Sequence, residues 1–167
     1  MPSVLRVAAM AEKKSVLFVC TGNTCRSPMA EGLFRAAVAG RDDFEVASAG
    51  VSAGPGGRIS PDTDAILRAR GAGIDGFASQ AVSEELIKKA SHVFAMTGQH
   101  LAVLHRMFPE HEDKFYLTCE FVDLPGRGVG CDVPDPIGSG PAAYREVAET
   151  LDQAIPTLIA FIDQTSG

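Results

Sequence analysis

The stretch Cys-Thr-Gly-Asn-Thr-Cys-Arg-Ser at residues 20–27 directly follows an apolar run, residues 15–19, with the sequence Ser-Val-Leu-Phe-Val. The apolar run predicts a short buried strand. Ser27 and Pro28 predict that a helix begins immediately afterwards, because serine is a favoured cap and proline a favoured first-turn residue. The stretch therefore forms a loop between a strand and the start of a helix.

A loop in this position is suited to binding a phosphate group. The first backbone N–H groups of a helix have no partner within it and carry partial positive charge, and a curled loop can direct further N–H groups at the same point. Gly22 and Asn23 tolerate the unusual backbone angles that such a loop needs. The predicted phosphate-binding residues are Thr21, Gly22, Asn23, Thr24, Cys25 and Arg26.

The two ends of the loop have side chains suited to catalysis. Cys20 lies where a helix start and a nearby cation favour a thiolate. Arg26 offers a planar set of donors that can hold two phosphate oxygens at once. The Ser27 hydroxyl is placed to support the sulfur. These residues predict in-line attack of sulfur on phosphorus with a phosphocysteine intermediate.

This reaction also needs a proton donor for the leaving group and a base for the water that cleaves the intermediate. Asp135, in a Pro- and Gly-rich loop of about residues 123–141, is the predicted group for both roles. Asp132, three residues earlier, is the competing candidate.

The rest of the chain predicts one α/β domain. Its 167 residues are 46% hydrophobic and 22% charged, as in an average soluble domain. Strands and helices alternate, which predicts a parallel sheet with helices on both faces and the phosphate-binding loop between strand 1 and helix 1. Further strands are predicted at residues 44–48, 92–96 and 114–118, and helices at residues 61–70, 83–90, 98–108 and 142–161.

Charge and hydropathy exclude other function classes. The net charge is −6 and there is no basic run, so nucleic acid and anionic membranes are not expected partners. No apolar run approaches the length of a membrane span. The four cysteines are too few for a secreted disulfide scaffold, which makes the cytoplasm the default location. Residues 1–12 are expected to be a disordered extension of a domain at residues 13–167.

The sequence resembles the low-molecular-weight protein phosphatases from residue 15 onward. Residues 16–31 carry the family's signature, residues 47–50 resemble its second-strand motif, and Asp135-Pro136 matches its general-acid position. The resemblance implies a four-stranded parallel sheet, no metal or other cofactor, and phosphorylated proteins as substrates. It also implies Cys20 as nucleophile, Arg26 as phosphate clamp and Asp135 as acid and then base, with Ser48 bracing the loop through Asn23.

Two positions are similar to the family's bacterial protein-arginine phosphatase branch. Thr24 stands where its tyrosine phosphatases commonly carry a β-branched aliphatic residue, and Ile137 with the following glycine and serine replaces their aromatic residues. The expected substrate is therefore phosphoarginine, with phosphotyrosine as the alternative. Arsenate reduction and phosphate binding without turnover are weaker alternatives, since residues 77–105 contain no cysteine and the catalytic groups are intact.

The remaining cysteines and histidines receive less specific predictions. Cys25 is expected to form a reversible disulfide with Cys20 that protects the nucleophile from overoxidation. Cys119 and Cys131 are expected to be a buried thiol and a loop thiol rather than a redox relay. The four histidines show no ligand spacing for a metal and are expected at the surface or at strand ends: His92, His100, His105 and His111.

Overall fold

A computed structural model describes residues 13–165, which form a parallel sheet covered by helices on both faces. The sheet has the strand order β2-β1-β3-β4. Its strands are β1 (Lys14–Cys20), β2 (Phe44–Gly50), β3 (His92–Ala95) and β4 (Phe115–Leu117). The helices within that range are α1 (Arg26–Ala37), α2 (Pro61–Ala69), α3 (Glu84–Lys89), α4 (Gly98–Met107) and α5 (Pro141–Thr165), with a 3-10 helix at Pro109–Lys114. The predicted fold class is confirmed.

Alternate residues of β1 supply the two halves of the core. Val16 and Phe18 pack into a cluster with residues of α1, α2 and α5. Leu17 and Val19 face the other side, where they pack with residues of α3 and α4. Because both faces of a parallel sheet are buried, its strands are apolar throughout, and this is why residues 15–19 lack a polar face.

The strand order places the carboxyl end of β1 at the centre of the sheet. The chain leaves β1 through α1 to β2 on one side, whereas β3 pairs with β1 on the other side. Connections that diverge in this way open a crevice at the carboxyl ends of the strands, where α/β proteins bind ligands. Cys20 is the last residue of β1, so the loop after it lies at that crevice.

Two local predictions are wrong. Helix α1 begins at Arg26 with Cys25 as its cap residue, so Ser27 lies inside the first turn and is not the cap. The predicted loop at residues 123–141 contains a short antiparallel hairpin of β5 (Asp123–Leu124) and β6 (Gly128–Val129). Strands of two residues are too short to show a periodic pattern, which explains why the sequence does not reveal them.

Two further predictions concern the N-terminal extension and membrane-spanning segments. The extension at residues 1–12 lies outside the described residues. Across residues 13–165, the helices lack the combination of length and hydrophobicity that crossing a membrane requires.

Candidate active site

The side chain of Asn23 holds the loop after β1 in its shape. Asn23 has a φ of 56°, and within residues 13–165 it is the one residue other than glycine with a positive φ. Its amide nitrogen donates to Ser27 Oγ and Ser48 Oγ, both at 2.9 Å, and its amide oxygen accepts the Gln80 backbone N–H at 2.9 Å. Three hydrogen bonds to a fully buried side chain therefore stabilise a backbone conformation that costs free energy in isolation.

The buried carboxylate of Glu31 extends this network through Ser48. Ser48 Oγ accepts from Asn23 and donates to Glu31 Oε1 at 2.6 Å. Glu31 is 5% exposed and pairs with Arg35 at 3.0 Å. Burial raises the pKa of Glu31, and the Ser48 hydrogen bond and the Arg35 charge oppose that shift. Glu31 and Ser48 are 17 residues apart, so no local sequence pattern reveals this role of Glu31.

The other branch of the network reaches the sulfur of Cys20. Ser27 Oγ lies 2.9 Å from Cys20 Sγ, and because this oxygen accepts from Asn23, its own proton is free to point at the sulfur. The Asn23 backbone N–H donates to the same sulfur at 3.3 Å. The Ser27 hydroxyl therefore contacts the Cys20 sulfur and does not cap the helix. Two donors directed at one sulfur are an arrangement that stabilises a thiolate.

Arg26 connects the loop to the segment that carries the two candidate acids. The Arg26 guanidinium is buried, donates from Nη1 to the Val133 carbonyl at 3.2 Å, and lies 3.9 Å from Asp135 Oδ2 through Nη2. The Asp135 carboxylate is half exposed and also accepts the Ile137 backbone N–H at 3.1 Å. Asp132 instead accepts the Gly98 N–H at 2.9 Å at the start of α4. Asp135 is therefore the carboxylate that faces the arginine.

The predicted specificity and redox positions surround the loop. Thr24 is half buried, and its carbonyl accepts the Ser60 N–H at 2.9 Å. Ile137 is 65% exposed beyond Asp135. Cys25 is buried behind the loop, with its sulfur 3.5 Å from the hydroxyl of Tyr144. Cys20 and Cys25 are not joined by a disulfide.

A cavity of about 300 Å³ adjoins the loop. Its polar lining residues are Thr21, Arg26, Thr97, Gln99, His100, Asp132 and Asp135. A larger cavity of about 450 Å³ lies elsewhere, around Ser15, Phe44 and Lys89, and contains none of residues 20–27. The smaller cavity is therefore the one that Arg26 and Asp135 line.

His100 lines the cavity and is buried, so the prediction that it lies at the surface or at a strand end is wrong. It is 5% exposed, with Nε2 2.7 Å from Thr21 Oγ1 and Nδ1 3.1 Å from Thr97 Oγ1. Burial lowers the pKa of His100 to about 4, and the positive charge of Arg26 acts in the same direction. The contact with Thr21 spans 79 residues, so no local sequence pattern reveals it.

The second pair of cysteines lies away from the loop. Cys119 is buried and Cys131, beside it, is partly buried. Burial raises the pKa of the Cys119 thiol to about 12. A thiol with so high a pKa reacts slowly, because the thiolate is the reactive form.

Comparisons with known proteins show which family and which relatives the chain is similar to. The model of the family described as low molecular weight phosphotyrosine protein phosphatase matches residues 15–166. A protein-arginine-phosphatase of Bacillus subtilis is 37% identical over 145 residues, 86% of this chain and 93% of the relative. A low molecular weight protein-tyrosine-phosphatase of Streptomyces coelicolor is 36% identical over 160 residues, 91% and 96% of the two chains. The crystal structure of a low molecular weight protein tyrosine phosphatase from T. tengcongensis aligns with a TM-score of 0.80 at 41% identity, covering 89% of this chain and 99% of its own.

The neutral state of His100 predicts a pH-dependent stability. Below about pH 6.5 the unfolded chain protonates this histidine, whereas the folded chain does so only near pH 4. The unfolded state then binds more protons, so the free energy of unfolding falls as the pH falls through this window. His100→Gln should reduce that slope by up to about 1 kcal/mol per pH unit, measured by urea unfolding between pH 7 and pH 4.

His92 sets the background for this measurement. Burial also lowers the pKa of His92, so part of the slope should remain in the His100→Gln variant. An unchanged slope in His100→Gln would show that His100 is not held neutral in the folded protein.

Proposed function

The chain belongs to the low molecular weight phosphotyrosine protein phosphatase family, and from this premise we propose that it hydrolyses phosphoarginine in proteins through a cysteine nucleophile. Members of this family remove phosphoryl groups from protein side chains, so the chain is a protein phosphatase. The mechanism is supported by two observations: Ser27 Oγ lies 2.9 Å from Cys20 Sγ, and the Arg26–Asp135 pair lines the cavity beside the loop that follows Cys20.

In the first step, the Cys20 thiolate attacks phosphorus in line with the leaving group. Two features support this role: Ser27 and the Asn23 N–H both point at the sulfur, and the loop starts a helix whose first turn contains no acidic residue. Arg26 holds the phosphoryl oxygens and neutralises their charge. The P–N bond breaks, the P–S bond forms, and Asp135 gives its proton to the departing guanidino nitrogen.

In the second step, water hydrolyses the phosphocysteine. Asp135, now ionised, accepts a proton from the water while the water oxygen attacks phosphorus. The P–S bond breaks and releases the Cys20 thiolate. The proposal requires Asp135 to move between leaving group and water. Its half-exposed carboxylate on a loop, 3.9 Å from Arg26, is compatible with both positions.

The preference for phosphoarginine rests on the polarity of the site. A guanidinium leaving group presents several N–H donors, which a hydroxyl at Thr24 and a carboxylate at Asp135 can accept. A phenol would gain more from aromatic walls. In this chain Asp135-Pro136 is followed by the exposed Ile137 rather than by an aromatic residue.

Phosphotyrosine is the second candidate substrate class. A named tyrosine phosphatase is 36% identical to this chain and a named arginine phosphatase 37%, so relatedness does not separate the two activities. The proposal for phosphoarginine therefore depends on Thr24 and the residues after Asp135.

Cys25 is proposed as the partner of Cys20 in a reversible disulfide. Hydrogen peroxide would convert the Cys20 thiolate to a sulfenic acid and release hydroxide. The Cys25 thiol would then attack the Cys20 sulfur, and the sulfenic oxygen would leave as water as the S–S bond forms. The proposal is supported by their positions, since the two cysteines lie at either end of the loop and both are buried with free thiols.

Substrate preference is the first prediction from this proposal. The wild-type chain should release phosphate from a phosphoarginine peptide with a kcat/KM at least tenfold above that for the matched phosphotyrosine peptide. Thr24→Ile should lose most of that preference, because the acceptor hydroxyl is replaced by a methyl-bearing chain. Cys20→Ser should release no phosphate from either peptide and controls for contaminating phosphatases. Equal rates on both peptides would contradict the assignment to arginine.

Asp135 is tested by removing its ability to transfer a proton. Asp135→Asn should lower kcat about a hundredfold or more, since general acid–base catalysis contributes in that range. Inhibition by inorganic phosphate should be no weaker, because Arg26 and the loop are intact. Asp132→Asn is the matched control and should retain most of kcat, as Asp132 is engaged at the start of α4. If Asp132→Asn instead lost more of kcat than Asp135→Asn, Asp132 would be the general acid.

The disulfide is tested by recovery from oxidation. Wild-type protein inactivated by brief peroxide treatment should regain its activity with a thiol reductant. Cys25→Ser should become irreversibly inactive, because a sulfenic acid without a resolving thiol oxidises further. Recovery of Cys25→Ser to the wild-type level would exclude Cys25 as the resolving cysteine.

A further inference from the structure

The side chain of Thr21 forms a part of the site that the proposed mechanism does not use. Thr21 follows the nucleophile directly, and its side chain is exposed at the cavity of about 300 Å³ beside the loop. Its hydroxyl contacts His100 on α4. Thr24 does not line this cavity, and its hydroxyl lies 3.7 Å from Cys25 Sγ. Of these two threonines of the loop, Thr21 is therefore the one whose side chain faces the cavity.

The hydrogen bonds around His100 fix the position of the Thr21 hydroxyl. His100 Nε2 lies 2.7 Å from Thr21 Oγ1, and Thr97 Oγ1 holds the other side of the ring at 3.1 Å and accepts the His100 backbone N–H at 3.2 Å. The imidazole is buried, and a ring bonded on both nitrogens cannot rotate freely. The threonine hydroxyl is therefore presented to the cavity in one place.

The hydroxyl keeps hydrogen-bonding capacity for a ligand in either tautomer of the histidine. If Nε2 donates to Thr21 Oγ1, the oxygen retains one lone pair and its own proton. If Nε2 accepts, the oxygen retains both lone pairs. In each case Thr21 can accept a hydrogen bond from a group in the cavity, where Gln99, Asp132 and Asp135 supply further acceptors.

We propose that Thr21 Oγ1, held by His100, is a second specificity-determining group that accepts an N–H of the guanidinium of a phosphoarginine substrate. His100 acts through Thr21 and is a positioning residue. This inference rests on the proposed function. Its physical basis is that a guanidinium carries N–H groups spread around a plane and is matched by acceptors on more than one wall, whereas the ring of a phenol offers no such donors.

The test compares phosphoarginine and phosphotyrosine peptides of the same sequence. Thr21→Val removes the hydroxyl at almost constant volume and should lower kcat/KM for phosphoarginine tenfold or more, because a guanidinium N–H loses its acceptor. The ratio of kcat/KM for phosphoarginine to kcat/KM for phosphotyrosine should fall at least fivefold in this variant, because a phenol ring has no N–H that loses an acceptor. Thr21→Ser keeps a hydroxyl and should retain the wild-type ratio of the two values.

Variants of His100 separate positioning from direct contact. His100→Leu should shift the ratio in the same direction as Thr21→Val, and His100→Gln, whose amide can still bond to Thr21, should restore much of it. In the double variant Thr21→Val/His100→Leu, the ratio should be no lower than in Thr21→Val alone. Independent, additive losses would contradict action through Thr21.

The outcomes distinguish this inference from the function on which it rests. If the wild-type chain prefers phosphoarginine and Thr21→Val leaves the ratio unchanged, the inference about Thr21 is overturned and the proposed function stands. Equal losses on both peptides in Thr21→Val would show a structural role only, which also overturns it. If the wild-type chain hydrolyses only phosphotyrosine, the proposed specificity itself is overturned.

Discussion

The hydrogen bonds of one amide side chain are the constraint on which the site depends. Asn23 adopts a backbone conformation that favours glycine, and its side chain supplies the compensation by bonding to Ser27, Ser48 and the Gln80 backbone. Because Ser27 accepts from Asn23, the serine proton is left for the Cys20 sulfur. A single buried amide thus sets both the shape of the phosphate-binding loop and the hydrogen bonding of the nucleophile. The cost of the strained backbone is offset within the same network.

The sheet explains why this network can exist in a small domain. Strand β1 is central and buried on both faces, so the residue at its carboxyl end is held rigidly by the core beneath it. The crevice opens where the connections diverge to β2 and β3, which brings the loop, the start of α4 and the Asp135 segment to one edge. Arg26 joins two of these parts through Val133 and Asp135. The core supplies rigidity, and the crevice supplies access for a substrate.

Local sequence patterns predict most of the fold and the residues at the centre of the site. The apolar run before Cys20 and the alternation of strands and helices predict the parallel sheet, and the loop composition predicts the anion-binding position. What the sequence did not reveal depends on contacts between distant residues: Glu31 with Ser48, Thr21 with His100 and Asn23 with Gln80. Ser27 illustrates the same limit, because a serine near a helix start is normally a cap, and only the fold shows that its hydroxyl faces a sulfur.

Intact-protein mass spectrometry after rapid acid quenching can show directly whether the phosphoryl group passes through Cys20. Asp135→Asn protein, mixed with a phosphoarginine peptide and quenched within milliseconds to seconds, should gain the mass of one phosphoryl group. Peptide mapping under conditions that preserve phosphothiolates should locate that group on Cys20. A phosphoryl group on another residue, or phosphate release from active protein with no covalent intermediate at any time, would contradict the account.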